Sequence, residues 1–527
     1  MGKLSNYWHT VKYLKPEQII YRVTGKLGMA CSLGVKACAD TADGPVALLP
    51  QLDFDPVFLS RFPVVELMDN RVTLLHESEN FNWSSPWEFP NRTPLWNYNL
   101  HYFEYLFPLI HAWQETNESC YPDKIKEMIS GWISSNPRSA GGVGWDAYPT
   151  SLRLICWLSC YGYLEPCFDA DFKQVMLSSM REQYAHLALH LEKHLLGNHY
   201  FENLKTLVIC SIFFRDNKML ASALKELKKQ CAEQILPDGM HFELSPMYHK
   251  IILEDLLRTA AALRLAGRKD MDLERYLQPM ADVAYSLEEG LERIPLFNDC
   301  GDNITKSLDA LLAAAGAEFG ITPKYISQLP DSGYYIFKSG DWKLIVDAGQ
   351  PGPSYLPGHA HCDAMSFELF HKGQPVLVNC GTYAYQCENR GFFRSTAAHN
   401  TVMCNGMEQS QCWGSFRMAK RASVEVLAVD ACEIRMEMTD YSKNTVRRTI
   451  QLTPEGLTVT DTADGKKLTS WLHCAEGASV IGEPELCSGI QTETVRHNYC
   501  PDFGKKHEIE ALVLSAENCI SYRWRQM

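Results

Sequence analysis

A chain of 527 residues is longer than one hydrophobic core can organise, so two or three domains are expected. Its formal net charge of −13 argues against a general nucleic-acid binder, whose footprint would be basic, but leaves room for an anionic ligand in a locally cationic cleft. Nineteen cysteines without CxxC pairs or regular spacing argue against a disulfide framework and read as free thiols in a reducing compartment.

From Ser5 to about Gly28 the pattern is helical, with Pro16 in a permissible first-turn position and Leu14, Ile19, Ile20 and Val23 near one stripe. Charged and polar residues stand where a signal peptide needs its apolar core, and no stretch is long and apolar enough to span a membrane. A cytoplasmic location is expected on that reading. Residues 1–95 form a helical segment followed, from residue 40, by a Pro- and Asp-rich arm expected to pack on the main body. From 96 to 325 the chain reads as amphipathic helices joined by short Gly, Pro and Asn connections, including Leu100 to Trp113, Ser151 to Tyr163, Asp171 to Leu195, Ile252 to Ala266 and Thr305 to Ala315. Repeated helical hairpins on this scale predict a toroid or solenoid of helix pairs. From 326 to 527 the segments are short, β-branched or aromatic and broken by Gly, Asp and Asn turns, which predicts an antiparallel sandwich. The fold class is therefore α+β and multidomain.

Chemistry-bearing residues collect at four places. The run WNYNLHYFEYL and the run WDAYPTSLRL set Asn99, His101, Trp145, Tyr148 and Arg153 among aromatics, a mixture that lines carbohydrate clefts and also fills aromatic cores. In Gly197 to Asn203, His199 and Glu202 stand three apart, so a helix beginning there would put them on one face within hydrogen-bonding reach; Asn198 reads equally as a helix cap. In Asp238 to His249, Pro246 opens a helix and sets Tyr248 in its first turn, where the helix N-terminus would help depress a phenol pKa. The run Gly358 to Asn400 holds His359-x-His361, read as a strand with both imidazoles on one face, then Asn379, a Gly-Thr-Tyr turn, Tyr385, Arg394 and His399.

The order NHYFE, ELSPMYH, GHAHCD, GTYAY, AHNTV resembles the heparinase II/III-type polysaccharide lyases and the related alginate and oligoalginate lyases. The resemblance implies an incomplete (α/α) toroid followed by a β-sandwich, with a cleft between them. It also implies β-elimination on uronic-acid-containing poly- or oligosaccharides, giving unsaturated uronides without an organic cofactor. By the same resemblance Asn198 and His199 neutralise the uronate carboxylate, Tyr248 and His359 are catalytic, and Glu202 and Tyr385 belong to the cleft. His361, residue 379 and His399 correspond to ligands of a structural zinc. Position 379 holds Asn where the family usually has Asp, and an amide is a poorer, neutral ligand, so weakened zinc binding is expected. Asn99, His101, Trp145, Tyr148, Arg153 and Arg394 complete the expected substrate contacts. The expected partner is an anionic polysaccharide or oligosaccharide, with oligomeric state left open. Two rivals remain: a glycoside hydrolase using Asp146 with Glu202 or Glu243, and a non-catalytic binding or assembly protein of envelope polysaccharides.

Overall fold

The computed structural model describes residues 2–39, 44–84, 86–476 and 483–525. Helices run from the N-terminus to Phe319 and strands from Gln328 to Arg525, with one small hairpin, Arg71–Leu74 against Glu77–Asn80, set among the helices. Of the expected arm, residues 40–43 and 85 lie outside the described residues. The rest of the arm carries Leu49, Leu52, Phe58, Phe62 and Leu67, all buried in the core of the helical body. The N-terminal helix Pro16–Lys26 departs from expectation: Ile19, Ile20 and Val23 face solvent. Its polar face docks instead, through Gln18 to the Leu195 carbonyl, Arg22 to the His194 carbonyl and Lys15 to Glu233.

In the helical body, Ala147–Leu164, Gly197–Phe213 and Pro246–Leu265 pack side by side, with Asn217–Gln234, Leu277–Glu288 and Leu308–Phe319 against them. The helix expected over Leu100 to Trp113 is two, Pro94–Leu100 and Phe107–Thr116, because Phe103 takes a left-handed conformation (φ 67°) with its ring fully buried. The helix expected to reach Leu195 stops at Leu187. Among the described residues no helix is long and apolar enough to cross a membrane.

Among the described residues the strand region has two large antiparallel sheets and a two-stranded ribbon, Cys412–Trp413 with Arg417–Met418. The first, in the order 328–329, 334–339, 342–347, 366–371 and 374–377, is covered on both faces. Ile336, Ile345 and Phe370 pack on Met240, Leu244 and Val283 of the helical body, while Phe337, Leu344 and Phe367 face the second sheet. Its central strands are accordingly buried at nearly every position, whereas Glu433–Thr439 and Thr445–Thr453 of the second sheet alternate between inside and outside. The long strands Gly456–His473 and Lys505–Arg525 form the spine of the second sheet. Sequence reading finds only Leu457 to Asp461 of the first, because DTADGKK has turn composition; the strand continues through it with a register shift between Thr462 and Lys467.

Within the second sheet Arg448 is fully buried, donating to Asp461 at 2.7 and 2.9 Å and to the carbonyls of Met365 and Asn400. It thereby ties the loop after His361 and the end of the Tyr385 loop to the sandwich. Arg448→Met leaves Asp461 buried and unpaired, and an unfolding free energy lower by about 3–5 kcal/mol is expected. Denaturant titration measures it, and a loss below about 1 kcal/mol would show that the pair contributes no more than an ordinary hydrogen bond.

Candidate active site

Helical body and sandwich enclose a cavity of about 980 Å³. Tyr98, Asn99, Tyr102, Tyr148, Asn198, His199, Glu202 and Tyr248 line it from the helices, and His359, Tyr385, Phe416 and Arg417 from the sandwich side. Each wall is positioned by local sequence. Ser245 caps the helix Pro246–Leu265, its hydroxyl accepting the Tyr248 N–H, so Tyr248 stands in the first turn as expected. Its phenol is 2.6 Å from the Tyr385 hydroxyl and its ring centroid 4.2 Å from that of His359. Burial, and then the second phenol, hold the Tyr248 pKa well above its ordinary value, opposite to the depression expected from the helix N-terminus. The phenol is thus kept neutral.

On the facing helix, Gly197 has φ 57°, and a Cβ there would lie 2.4 Å from Glu243 Oε1. Only glycine lets that carboxylate reach the chain, where it accepts the Asn198 N–H at 2.9 Å and the side-chain amide at 2.9 Å. Asn198 lies inside the helix, so it is not the cap, and its amide donors are turned to Glu243. His199 donates from Nδ1 to Glu192 at 3.1 Å, and its ring lies 4.6 Å from that of Tyr148, tilted by 43°. Burial opposes its charge, but Glu192, with Glu243 and Asp146 behind it, holds the pKa above the ordinary imidazole value. The expected His199–Glu202 contact is absent: Glu202 pairs with Lys205 at 2.6 Å, and Lys205 with Asp255 at 2.8 Å.

The centre of the site is a residue that sequence reading passes over. Asp299 is fully buried on the loop between Glu288 and Leu308 and accepts from His359 Nδ1 (2.9 Å), His361 Nε2 (2.9 Å), the Thr382 hydroxyl (3.0 Å) and Arg390 through both terminal nitrogens (Nη2 at 2.6 Å). Although burial works the other way, Arg390 and the two imidazoles hold its carboxyl well below the usual carboxylate range. His359 and His361 lie in a loop, not the expected strand, yet both reach the same carboxylate. The signal for Asp299 is an Asn-Asp pair inside the apolar run Ile294 to Cys300; Arg390 has no comparable signal.

Four expected substrate contacts do not line the cavity. His101 is buried, accepting the Trp132 indole N–H at Nδ1, and Arg153 is buried against Trp132 and bonded to Gln183 and the His101 carbonyl. Trp145 donates to the Asn136 carbonyl behind the wall. Arg394 is fully buried and donates to the carbonyls of Pro357, Ala360, Gly414, Ser415 and Arg417, which fixes the loops bearing His359 and Phe416. A buried guanidinium with carbonyl partners braces backbone and offers nothing to a ligand.

At the position of the expected zinc, His361 Nδ1, both His399 nitrogens and Asn379 Nδ2 are buried without hydrogen-bond partners. Asn379 Oδ1 accepts the Asn400 N–H, so residue 379 presents a donor rather than a ligand atom. The carboxylate that converges with His361 and His399 belongs to Asp363. The donor set of two imidazoles and one carboxylate fits zinc, with Asp363 in place of residue 379.

The rival pair of hydrolytic carboxylates is committed elsewhere: Asp146 accepts the Tyr98 hydroxyl at 2.6 Å, Glu243 holds Asn198, and Glu202 is ion-paired.

The family model for the heparinase II/III N-terminus matches residues 57–318, and that for the heparinase II/III-like C-terminal region matches residues 321–470. A heparin-sulfate lyase of Pedobacter heparinus is 24% identical over 62% of this chain and 54% of its own length. One of Bacteroides thetaiotaomicron is 21% identical over 70% of this chain and 60% of its own. The chain thus spans little more than half the length of these curated relatives. A crystal structure of heparinase III superposes with a TM-score of 0.68 at 16% identity, covering 93% of this chain and 87% of that one. The heparan sulfate lyase HepC of Pedobacter heparinus gives a TM-score of 0.56 at 16% identity, over 96% and 87%. The shared architecture is the expected helical toroid followed by an antiparallel β-sandwich. With both family regions matched in order over most of its length, the chain belongs to the heparinase II/III family.

Proposed function

We propose that the protein is a polysaccharide lyase acting on glucuronate-containing glycosaminoglycan-type chains by β-elimination. The observation that carries this reading is the placing of a neutral phenol, Tyr248, beside an imidazole oriented by Asp299, with a second imidazole favoured in its charged form on the helix that faces them. Donation from His359 Nδ1 to Asp299 leaves Nε2 as the atom that accepts a proton. In the proposed reaction His359 Nε2 takes the C5 proton, the C4–O bond breaks as the C4–C5 double bond forms, and Tyr248 donates its proton to the departing oxygen. His199 offsets the uronate carboxylate, so that the enolate-like charge developing at C5 is stabilised. Asn198, occupied by Glu243, holds that carboxylate 3.6 Å from His359 Nε2. Acid and base on one side of the sugar suit a syn elimination, the geometry of a glucuronate rather than an iduronate.

The cavity mouth supports an anionic chain. Arg22 and Arg417 reach it from the N-terminal helix and the sandwich, close enough to affect one another, and neither is ion-paired among the described residues. The relatives' names point to a sulfated polymer, whose sulfates or neighbouring carboxylates these arginines would meet. A zinc ion, where bound by His361, Asp363 and His399, would supply a structural cross-link between the His359 loop and the end of the Tyr385 loop.

Incubation with glucuronate- and iduronate-rich polymers, followed by ultraviolet absorbance of the conjugated alkene, tests the reading. Product from the glucuronate polymers is expected, and products with new reducing ends but no alkene would establish hydrolysis instead. On a confirmed substrate, Tyr248→Phe is expected to lower kcat by about 100-fold or more at unchanged melting temperature. Retention of half the activity would remove Tyr248 from the reaction. Since Glu192 raises the His199 pKa, Glu192→Gln is expected to shift the alkaline limb of kcat/KM to lower pH. A pH profile that does not move would remove His199 from charge neutralisation.

A further inference from the structure

We infer that Cys380, His473 and His497 form a second transition-metal site, suited to zinc, at the base of the loop that carries Tyr385. The three side chains converge so that one donor atom from each lies within 4.8 Å of the others. They come from three separate pieces of chain: Cys380 from the start of the loop, His473 from the last position of strand Gly456–His473, and His497 from strand Gln491–Asp502. The site shares no ligand with His361, Asp363 and His399.

The hydrogen-bond pattern leaves a place that a cation fills. Asn400 donates its amide to the Phe367 carbonyl at 2.9 Å and accepts the His473 N–H at 2.8 Å, which fixes which end of the amide is oxygen. That oxygen faces His473 Nδ1 at 3.2 Å, so Nδ1 carries the proton and Nε2 of the neutral ring is a bare lone pair. Yet Nε2 lies 3.1 Å from the Ala397 carbonyl oxygen, which can only accept, and 3.1 Å from His497 Nδ1. A proton shared between the rings satisfies the second contact and leaves the first as two opposed lone pairs. Protonating Nε2 as well would bury an imidazolium, and His473 is fully buried with no ion pair among the described residues. A metal ion between Nε2, His497 Nδ1 and the Cys380 sulfur removes the conflict at once. The separation of the two ring nitrogens is close to what two ligands of one tetrahedral zinc require, given bonds of about 2.0–2.1 Å. The Cys380 thiol is buried and makes no hydrogen bond among the described residues, and coordination would deprotonate it outright. His497 is half-buried, which gives the ion a path from solvent.

Such a site pins Cys380, next to Asn379, and the Ala397–Asn400 segment to the sandwich, closing the two ends of the loop that presents Tyr385, Arg390 and Arg394. Its chemistry differs from that of the all-nitrogen-and-oxygen group at His361 by one thiolate, and cobalt reads that difference. Metal-free protein kept under reductant is titrated with cobalt(II). A thiolate-to-cobalt charge-transfer band in the near-ultraviolet is expected in the wild type and in His399→Ala, and its loss in Cys380→Ser. His497→Ala, at a half-buried position and with its melting temperature measured alongside, is expected to weaken the cobalt affinity read from that band by about 100-fold or more, beyond the usual effect of losing an outer-shell partner. A wild type without the band, a band that survives Cys380→Ser, or one that His497→Ala leaves unchanged would each overturn the assignment.

Discussion

The carboxylate of Asp299 is the interaction on which the rest of the site depends. A buried carboxylate is tolerated only with close partners, and this one has two imidazoles, a hydroxyl and a guanidinium. The residue itself belongs to the helical half, whereas every one of those partners comes from the strand half. One charge therefore sets the two halves in register, and it does so at the cavity wall, beside the residues proposed to move protons. The neighbouring Asn298 extends the clamp, bonding the Leu244 carbonyl, the His361 N–H and the Asp363 carboxylate.

From this clamp the roles of the flanking groups follow. His359 is held at Nδ1, so Nε2, with Glu243 beside it, is the nitrogen left to exchange a proton; Tyr248 is buried against Tyr385, so it keeps its proton. Glu243 sits between the walls, bonding Asn198 and standing 3.6 Å from His359 Nε2, which couples the helix Gly197–Phe213 to the sandwich loop. A net charge of −13 coexists with Arg22, His199 and Arg417 in the cavity lining because the field that a ligand meets is local, and the carboxylates of Glu202, Asp255 and Glu254 that also line it are ion-paired to Lys205 and Arg258.

Much of the fold was legible because texture follows burial. Helical periodicity up to Phe319 and short apolar runs after it announce the change of architecture, and Pro246 announces the helix that places Tyr248. Long-range partners leave no such trace. Asp299 meets His359, Thr382 and Arg390 across 60, 83 and 91 residues, and nothing local marks that meeting. The same limit explains the misread residues. Arg153 and Arg394 look like ligand-binding guanidiniums until their carbonyl partners are seen, and His199 beside Glu202 looks like a pair until Lys205 claims the acid. The stripe Ile19, Ile20 and Val23 looks like a core face, but the opposite, polar face of that helix makes the contacts.

The central claim is that the Asp299 charge assembles the catalytic groups across the two halves, and the isosteric change Asp299→Asn tests it most directly. It preserves shape while leaving Arg390 without its counter-charge and His359 without an anionic anchor. On a substrate that yields the conjugated alkene, kcat/KM is expected to fall by about 100-fold or more, together with a lower melting temperature. A variant with near wild-type kcat/KM and an unshifted melting temperature would contradict the account.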